Sequence, residues 1–362
     1  MVVNRKSNYE LCRIVAMLMI VSHHFAIRNG FQIETVGFLS IWLRFLESAG
    51  KIGVNLFILL TGYFMVGKQN KLEKIISISL TTMLYSTVFL GIWLGYQYVS
   101  GGGIHDIRQI RNAIFPICSS EYWFITNYVL LYLTIPILNK LLEVYSRKQC
   151  LVGILAGFFV LSIIPSVLQV ELGFSYYIWF VFMYCLGAYW RLYIRTNRTW
   201  QHYMLISVCL YATLIAIETL LDGLFPGRID MLQLYAMNQI LIVIISVMLF
   251  AMFSCMQLRY IPQINEISKH TIGVYLVHDN QLIGAFLVWG VIRKLFHVTE
   301  LYEKGSIAFI PISIIIVFLV FGGGYIIDWI RERLVGKLID KIAAYFSNYL
   351  REYFSKGMER LK

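Results

Sequence analysis

The chain has 362 residues, of which 59% are hydrophobic and 14% charged, with a formal net charge of +11. That balance excludes an ordinary soluble domain and a disordered chain and places the sequence among polytopic membrane proteins. It also excludes a nucleic-acid reader, since no basic soluble segment fit for a groove stands out and no nucleic-acid partner is expected.

A membrane-crossing helix needs about 20 mostly apolar residues. Such stretches run near 9–28, 50–67, 74–98, 122–140, 150–168, 174–193, 202–222, 231–255, 267–292 and 306–329. They predict an all-α fold, a polytopic transmembrane helix bundle of about ten spans. The second span is short and glycine-bearing, and several spans carry polar residues, so an interior cavity is expected rather than lipid-facing rods. Residues 1–330 then form one membrane-embedded domain and 331–362 a cytoplasmic tail.

In the first span Arg13 and His24 are eleven positions apart. Eleven steps of about 100° put both on one helix face, about 16 Å apart along the axis. Ionisable groups are costly in hydrocarbon and usually line a bundle interior or watery cavity, so the pair predicts a polar path. Glu10 lies one turn before Arg13 and is expected to pair with it. His23 is rotated about 100° from His24 and is expected to orient or pack.

Beyond the second span stand Lys68, Lys71 and Lys74. Membrane orientation alone accounts for lysines there, and a phosphate-binding role is the second reading. Between the third and fourth spans, about Ser100 to Glu121, lie His105 and Asp106 as hydrogen-bonding groups. Tyr122, Trp123 and Phe124 follow, either as an interfacial belt or as a platform on which a sugar stacks. In the seventh span Glu218 and Asp222, about one turn apart, are read as cavity-lining. In the ninth, Tyr275 precedes the polar run His278, Asp279 and Asn280, which is expected to face a cavity. From Arg331 onward Leu334, Leu338, Ile342, Tyr345, Tyr349 and Tyr353 recur at helical steps among basic residues, with Phe346 and Phe354 widening the stripe. That pattern predicts an amphipathic helix in the inner headgroup plane, contacting membrane lipids.

Most of the lysines and arginines fall on the side holding both chain ends, so both termini are expected in the cytoplasm and the chain in the plasma or inner cell membrane. The first span lacks a small-residue cleavage site, and no removable signal peptide is expected. Cys12, Cys118, Cys150, Cys185, Cys209 and Cys255 are scattered with no C-x-x-C pair, so neither disulfides nor a metal site is expected.

Glu10, Arg13, Ala16 and His24 together resemble the first span of the acyltransferase-3 family of integral membrane acyltransferases. Gly50, Gly53, Val54, Leu56 and Phe57, followed by Thr61, Gly62, Tyr63 and Phe64, look like its second span, with Thr61 where serine is commoner. Tyr122, Trp123, Phe124 and Ile125 with Leu131, Tyr132 and Pro136 are similar to its fourth, and Ser268, Thr271, Tyr275 and His278 to a late one. The resemblance implies transfer of an acyl group, commonly acetyl, from cytoplasmic acyl-coenzyme A to a hydroxyl of a surface polysaccharide or lipid-linked glycan. Acyl-coenzyme A is then the donor substrate, with no bound cofactor. Two features depart from the family pattern. The basic cluster holds lysines where arginines are frequent, and no counterpart of the hydrolase-like domain fused to some members is expected within residues 1–362.

In the residues' own terms, an imidazole is a suitable base for an attacking hydroxyl at neutral pH, and His24 is the catalytic candidate. Arg13, Lys68, Lys71 and Lys74 are the donor-binding candidates, because cations hold phosphates well. Glu10, His23, Tyr275 and His278 support them, and Tyr122 and Trp123 receive the acceptor. From another class, a transporter or flippase of a lipid-linked glycan would line its path with Arg13, His24 and His278. A glycan polymerase usually needs a larger outer loop.

Overall fold

The computed structural model describes residues 6–31, 37–101, 107–170, 174–225 and 234–359, and every regular element among them is helical. The long elements are α1 (Ser7–Arg28), α2 (Phe38–Met65), α3 (Leu72–Val99), α5 (Trp123–Val144) and α6 (Arg147–Leu168), with the short α4 (Ile107–Ile114) before α5. They are followed by α7 (Tyr176–Tyr193), α8 (Trp200–Leu224) and α9 (Ile240–Cys255). Shorter pieces come next, α10 (Pro262–Lys269), α11 (Thr271–His278), α12 (Trp289–Phe296) and α13 (Val298–Glu303). The chain closes with α14 (Phe309–Arg331) and α15 (Lys337–Glu359). Local chemistry sets several of these starts. Glu10 in the first turn and Arg28 in the last complement the dipole of α1. Ser146 and Gln149 form a reciprocal capping box at α6, and Pro262 opens α10 where a missing N–H costs nothing.

Six helical runs are long and apolar enough to cross a membrane: α1, α3, α5, α6, α8 and the run Phe309–Tyr353. The apolar α9 is shorter, at 16 residues. The expected segment 50–67 is the second half of the 28-residue α2. The expected span 267–292 is not one helix. His270 sits between α10 and α11 with φ −94° and ψ 2°, and α11 ends at Asp279. The Asn280 side chain then accepts from the amides of Leu282 and Ile283, a local turn that competes with helix. A π turn at Gly284–Val288 leads into α12.

α1 is central, packing against α2, α9, α10, α11 and α14. Its closest approach is to α2, where a Cβ added to Gly53 would come within 2.5 Å of the Ala16 carbonyl oxygen. Small residues at such a seam let two backbones pack closely where lipid supplies no hydrophobic drive. Gly62 of α2 and Gly187 of α7 meet each other's helices in the same way. A buried polar clasp adds to this. Asn55 donates to the Met237 carbonyl at 2.9 Å and accepts from the Trp179 indole at 2.9 Å, joining α2 to α7.

The tail is helical. The chain passes from α14 through a π turn at Glu332–Gly336 into α15, which packs on α3. The buried face is Ile339, Ala343 and Ser347, whereas Leu334, Leu338, Tyr345, Phe346, Tyr349 and Tyr353 are exposed. The small side chains of Ala343 and Ser347 let α15 lie close to its neighbour. The aromatic stripe is thereby left to the surroundings. Nothing of the Phe354 side chain falls within the described residues.

Candidate active site

The last turns of α1 and α11 meet at a pair of imidazoles. His24 Nδ1 lies 2.9 Å from His278 Nε2, and both rings are buried. His278 Nδ1 lies 2.6 Å from the Val274 carbonyl, which can only accept, so this nitrogen carries the proton. In the neutral pair, His278 Nε2 is therefore the acceptor and His24 Nδ1 the donor. The remaining nitrogen, His24 Nε2, is left bare. It stands 3.4 Å from Asp279 Oδ1, and Arg28 binds that same oxygen at 3.1 Å. The Trp289 indole donates to the His278 carbonyl at 3.0 Å and holds the end of α11.

His23 turns away from this pair, its Nδ1 2.6 Å from the Glu47 carbonyl of α2, and packs over Gly50. A small pocket is lined by His23, His24, Lys51, Trp123, Phe124 and Tyr275, among others. The Lys51 ammonium stands 5.5 Å from the centre of the Trp123 ring, inside cation–π range. A second, larger pocket adjoins the first, sharing His23 and Lys51 and adding Glu47, Tyr176, Asn238 and Gln239. Tyr275 is buried, its ring packed against Tyr122 and Phe124.

The two aromatic candidates separate here. Trp123 reaches the pocket, but Tyr122 is fully buried, donating to the Leu276 carbonyl at 3.0 Å and accepting from Asn280 at 2.8 Å. Its ring offers no surface to a sugar, and its hydroxyl fixes the end of α11. His105 and Asp106 lie outside the described residues. Glu121, just before α5, has its carboxyl raised above the ordinary glutamate range by burial first and by neighbouring Asp279 second. Asp222 pairs with Arg44 at 2.5 Å, and Glu218 is buried.

At the opposite end of α1, Glu10 and Arg13 form the expected pair at 2.6 Å, and Ser268 of α10 donates to Glu10 at 2.5 Å. The Phe64 ring gathers cations, with Arg13 5.7 Å and Lys68 5.9 Å from its centre. Arg191 joins them through Tyr63, donating to its hydroxyl at 3.1 Å. Lys71 and Lys74 are exposed at the start of α3. The loop before them is pinned to α5, since Asn139 donates to the carbonyls of Met65 and Lys68 at 3.0 and 3.1 Å.

The profile of a family described as an acyltransferase domain, acyltransferase-3, matches residues 7–329, nearly the whole chain. The chain belongs to the acyltransferase-3 family. It is an acyltransferase with apolar helices of membrane-crossing length. No curated protein and no solved structure matches it. Within this acyltransferase, sequence reasoning left three residues out of the site, Lys51, Asp279 and Arg28. The signal for Asp279 was its place in the run with His278 and Asn280. Lys51 was visible only as a charge among apolar residues, and nothing in the order of the chain links Arg28 to Asp279.

Proposed function

We propose that this acyltransferase moves an acyl group, most simply acetyl, from acyl-coenzyme A to a hydroxyl of a surface polysaccharide or lipid-linked glycan. In this reading both termini are cytoplasmic, and α2, α7, α9 and the broken α10–α12 segment complete ten crossings with the six long apolar runs. The thioester comes up from the Arg13 end of α1, where Lys68 and Arg191 also stand, with Lys71 and Lys74 at the entrance. The acceptor lies in the larger pocket behind His23 and Lys51, its reacting hydroxyl passing Lys51 into the smaller pocket that Trp123 lines.

The observation that carries the proposal is the bare Nε2 of His24 beside Asp279. As the acceptor oxygen attacks the thioester carbonyl, its proton passes to His24 Nε2, and the new imidazolium is stabilised by Asp279. His278 keeps the ring in this tautomer. The ammonium of Lys51 faces the oxygen that gains negative charge in the tetrahedral intermediate. When the C–S bond breaks, the leaving thiolate takes the proton back from His24. One ester and one thiol result, and the base is restored.

The test is acyl transfer in purified membranes with labelled acetyl-coenzyme A and surface glycan as acceptor. His24→Ala is expected to lower turnover by about 10²- to 10⁴-fold, the range of a positioned base. Asp279→Asn is expected to lower kcat at least about tenfold, a loss of ~1.4 kcal/mol of imidazolium stabilisation, with the donor KM little changed. Parental rates in both variants would remove His24 from the chemistry. Glycan movement without consumption of acetyl-coenzyme A would replace the transferase reading with a flippase.

A further inference from the structure

A second histidine, remote from His24, sits in a setting the acyl-transfer scheme does not use. His270, 1% exposed, lies at the junction of α10 and α11, with Nδ1 2.7 Å from Asp328 Oδ2. Asp328 is held in turn by Tyr85 at 2.9 Å and by Arg331 at 2.8 and 2.9 Å. The carboxylate accepts, so Nδ1 carries the proton and a neutral ring presents the lone pair of Nε2 on its other edge. Among the described residues that Nε2 has no partner in hydrogen-bonding geometry. It faces Glu332 Oε2 at 3.3 Å and Glu266 Oε1 at 3.7 Å, and the three ligand atoms lie within 4.8 Å of one another.

Two arrangements satisfy such a cluster, an imidazolium among three carboxylates or a neutral imidazole sharing a cation with two of them. An imidazolium would direct its Nε2–H at one oxygen, and among the described residues no oxygen meets it in hydrogen-bonding geometry. Donor atoms on a tetrahedral ion at about 2.0–2.1 Å stand about 3.3 Å apart, against 3.3 and 3.7 Å from His270 Nε2 to the two carboxylate oxygens. Glu266, Glu332 and Asp328 outweigh the neighbouring cations Lys269 and Arg331 by one negative charge. Lys269 occupies the other oxygen of Glu266, at 2.5 Å, and leaves Oε1 turned to the ring. Glu332 opens the π turn below α14, a register change that often marks functional sites.

We infer that Glu266, His270 and Glu332 bind a divalent transition-metal ion of the Zn²⁺ class, with water in the fourth position and Asp328 fixing the histidine tautomer. Glu266 and His270 are one helical turn apart, but the third donor, Glu332, comes from a distant stretch, so the absence of a metal motif in the sequence is no guide to the site. The ion ties α10 to the α14–α15 junction. Ser268, two residues from His270, holds Glu10 and so the Arg13 end of α1. The inference is independent of the acyl acceptor.

The test uses full-length protein in detergent, stripped with a chelator and dialysed, then titrated with Zn²⁺ by calorimetry and with Co²⁺ by visible absorption. One Zn²⁺ per chain and tetrahedral Co²⁺ bands are expected. The double variant Glu266→Gln with Glu332→Gln leaves the buried His270–Asp328 pair in place. It is expected to weaken Zn²⁺ more than about tenfold, the least that even outer-shell partners contribute, and to abolish the Co²⁺ bands with helical circular dichroism unchanged. No saturable Zn²⁺ binding, equal binding by the double variant, or an imidazolium at His270 in saturating Zn²⁺ by ¹⁵N NMR would each overturn the site.

Discussion

Asp279 and Glu121 bring two carboxyl groups to the same mouth of the bundle with different means of compensation. Asp279 is matched by Arg28 at 3.1 Å, whereas Glu121 is half-buried beside Asp279 with its carboxyl raised above the ordinary range. A carboxyl raised on folding binds its proton more tightly in the folded state. Its stabilising contribution is full below the unfolded value of about 4.3 and is lost as pH rises through the higher folded value. Glu121→Gln is therefore expected to raise thermal stability at neutral pH, with the gap from the parent closing as pH falls through the raised folded value toward about 4.3. Melting curves across pH check this, and a gap that widens toward acid would contradict it. At this scale the Glu10–Arg13 pair was legible because helical spacing fixes which side chains meet within one helix. The partnership of His24 with His278 and Asp279 was not legible, because it joins α1 to the end of α11, and spacing says nothing about which helices touch.

The seam between α1 and α2 shows why the element needs glycine. A Cβ at Gly53 would meet the Ala16 carbonyl, a backbone atom that cannot swing aside. Gly53→Ala is expected to cost about 1–3 kcal/mol of stability and to lower activity with it, because the displaced α2 carries Lys51 and Glu47 away from His23. Thermal melts in detergent alongside transfer rates read both effects, and an unchanged melt would show that the helices part freely. The long helices were legible from apolar runs. The break at His270 was not, because its side chain's partner, Asp328, comes from a distant helix, and the turn at Asn280 rests on a side-chain bond to the amides of Leu282 and Ile283 that apolar run length does not register.

For the whole molecule, the ten-crossing reading places the loop at Gln69 and the start of the third interhelical connection at Gly101 on opposite faces. Single cysteines introduced at these two positions in a cysteine-free background are expected to react with an impermeant thiol reagent from opposite sides. Labelling from one side would overturn that layout. Composition and apolar run length by themselves determined that the chain is helical and rich in membrane-length segments, because a backbone in hydrocarbon must satisfy its hydrogen bonds within each helix. The first-span spacing likewise fixed one face bearing Arg13 and His24. Only the tertiary structure decided that α1 is central and that Tyr122 is structural while Trp123 lines the pocket. It also decided that the tail buries Ile339, Ala343 and Ser347 rather than its aromatic stripe. The physical reason is that helix formation is local, whereas the choice of neighbour follows from close packing and from finding partners for buried polar groups across the bundle.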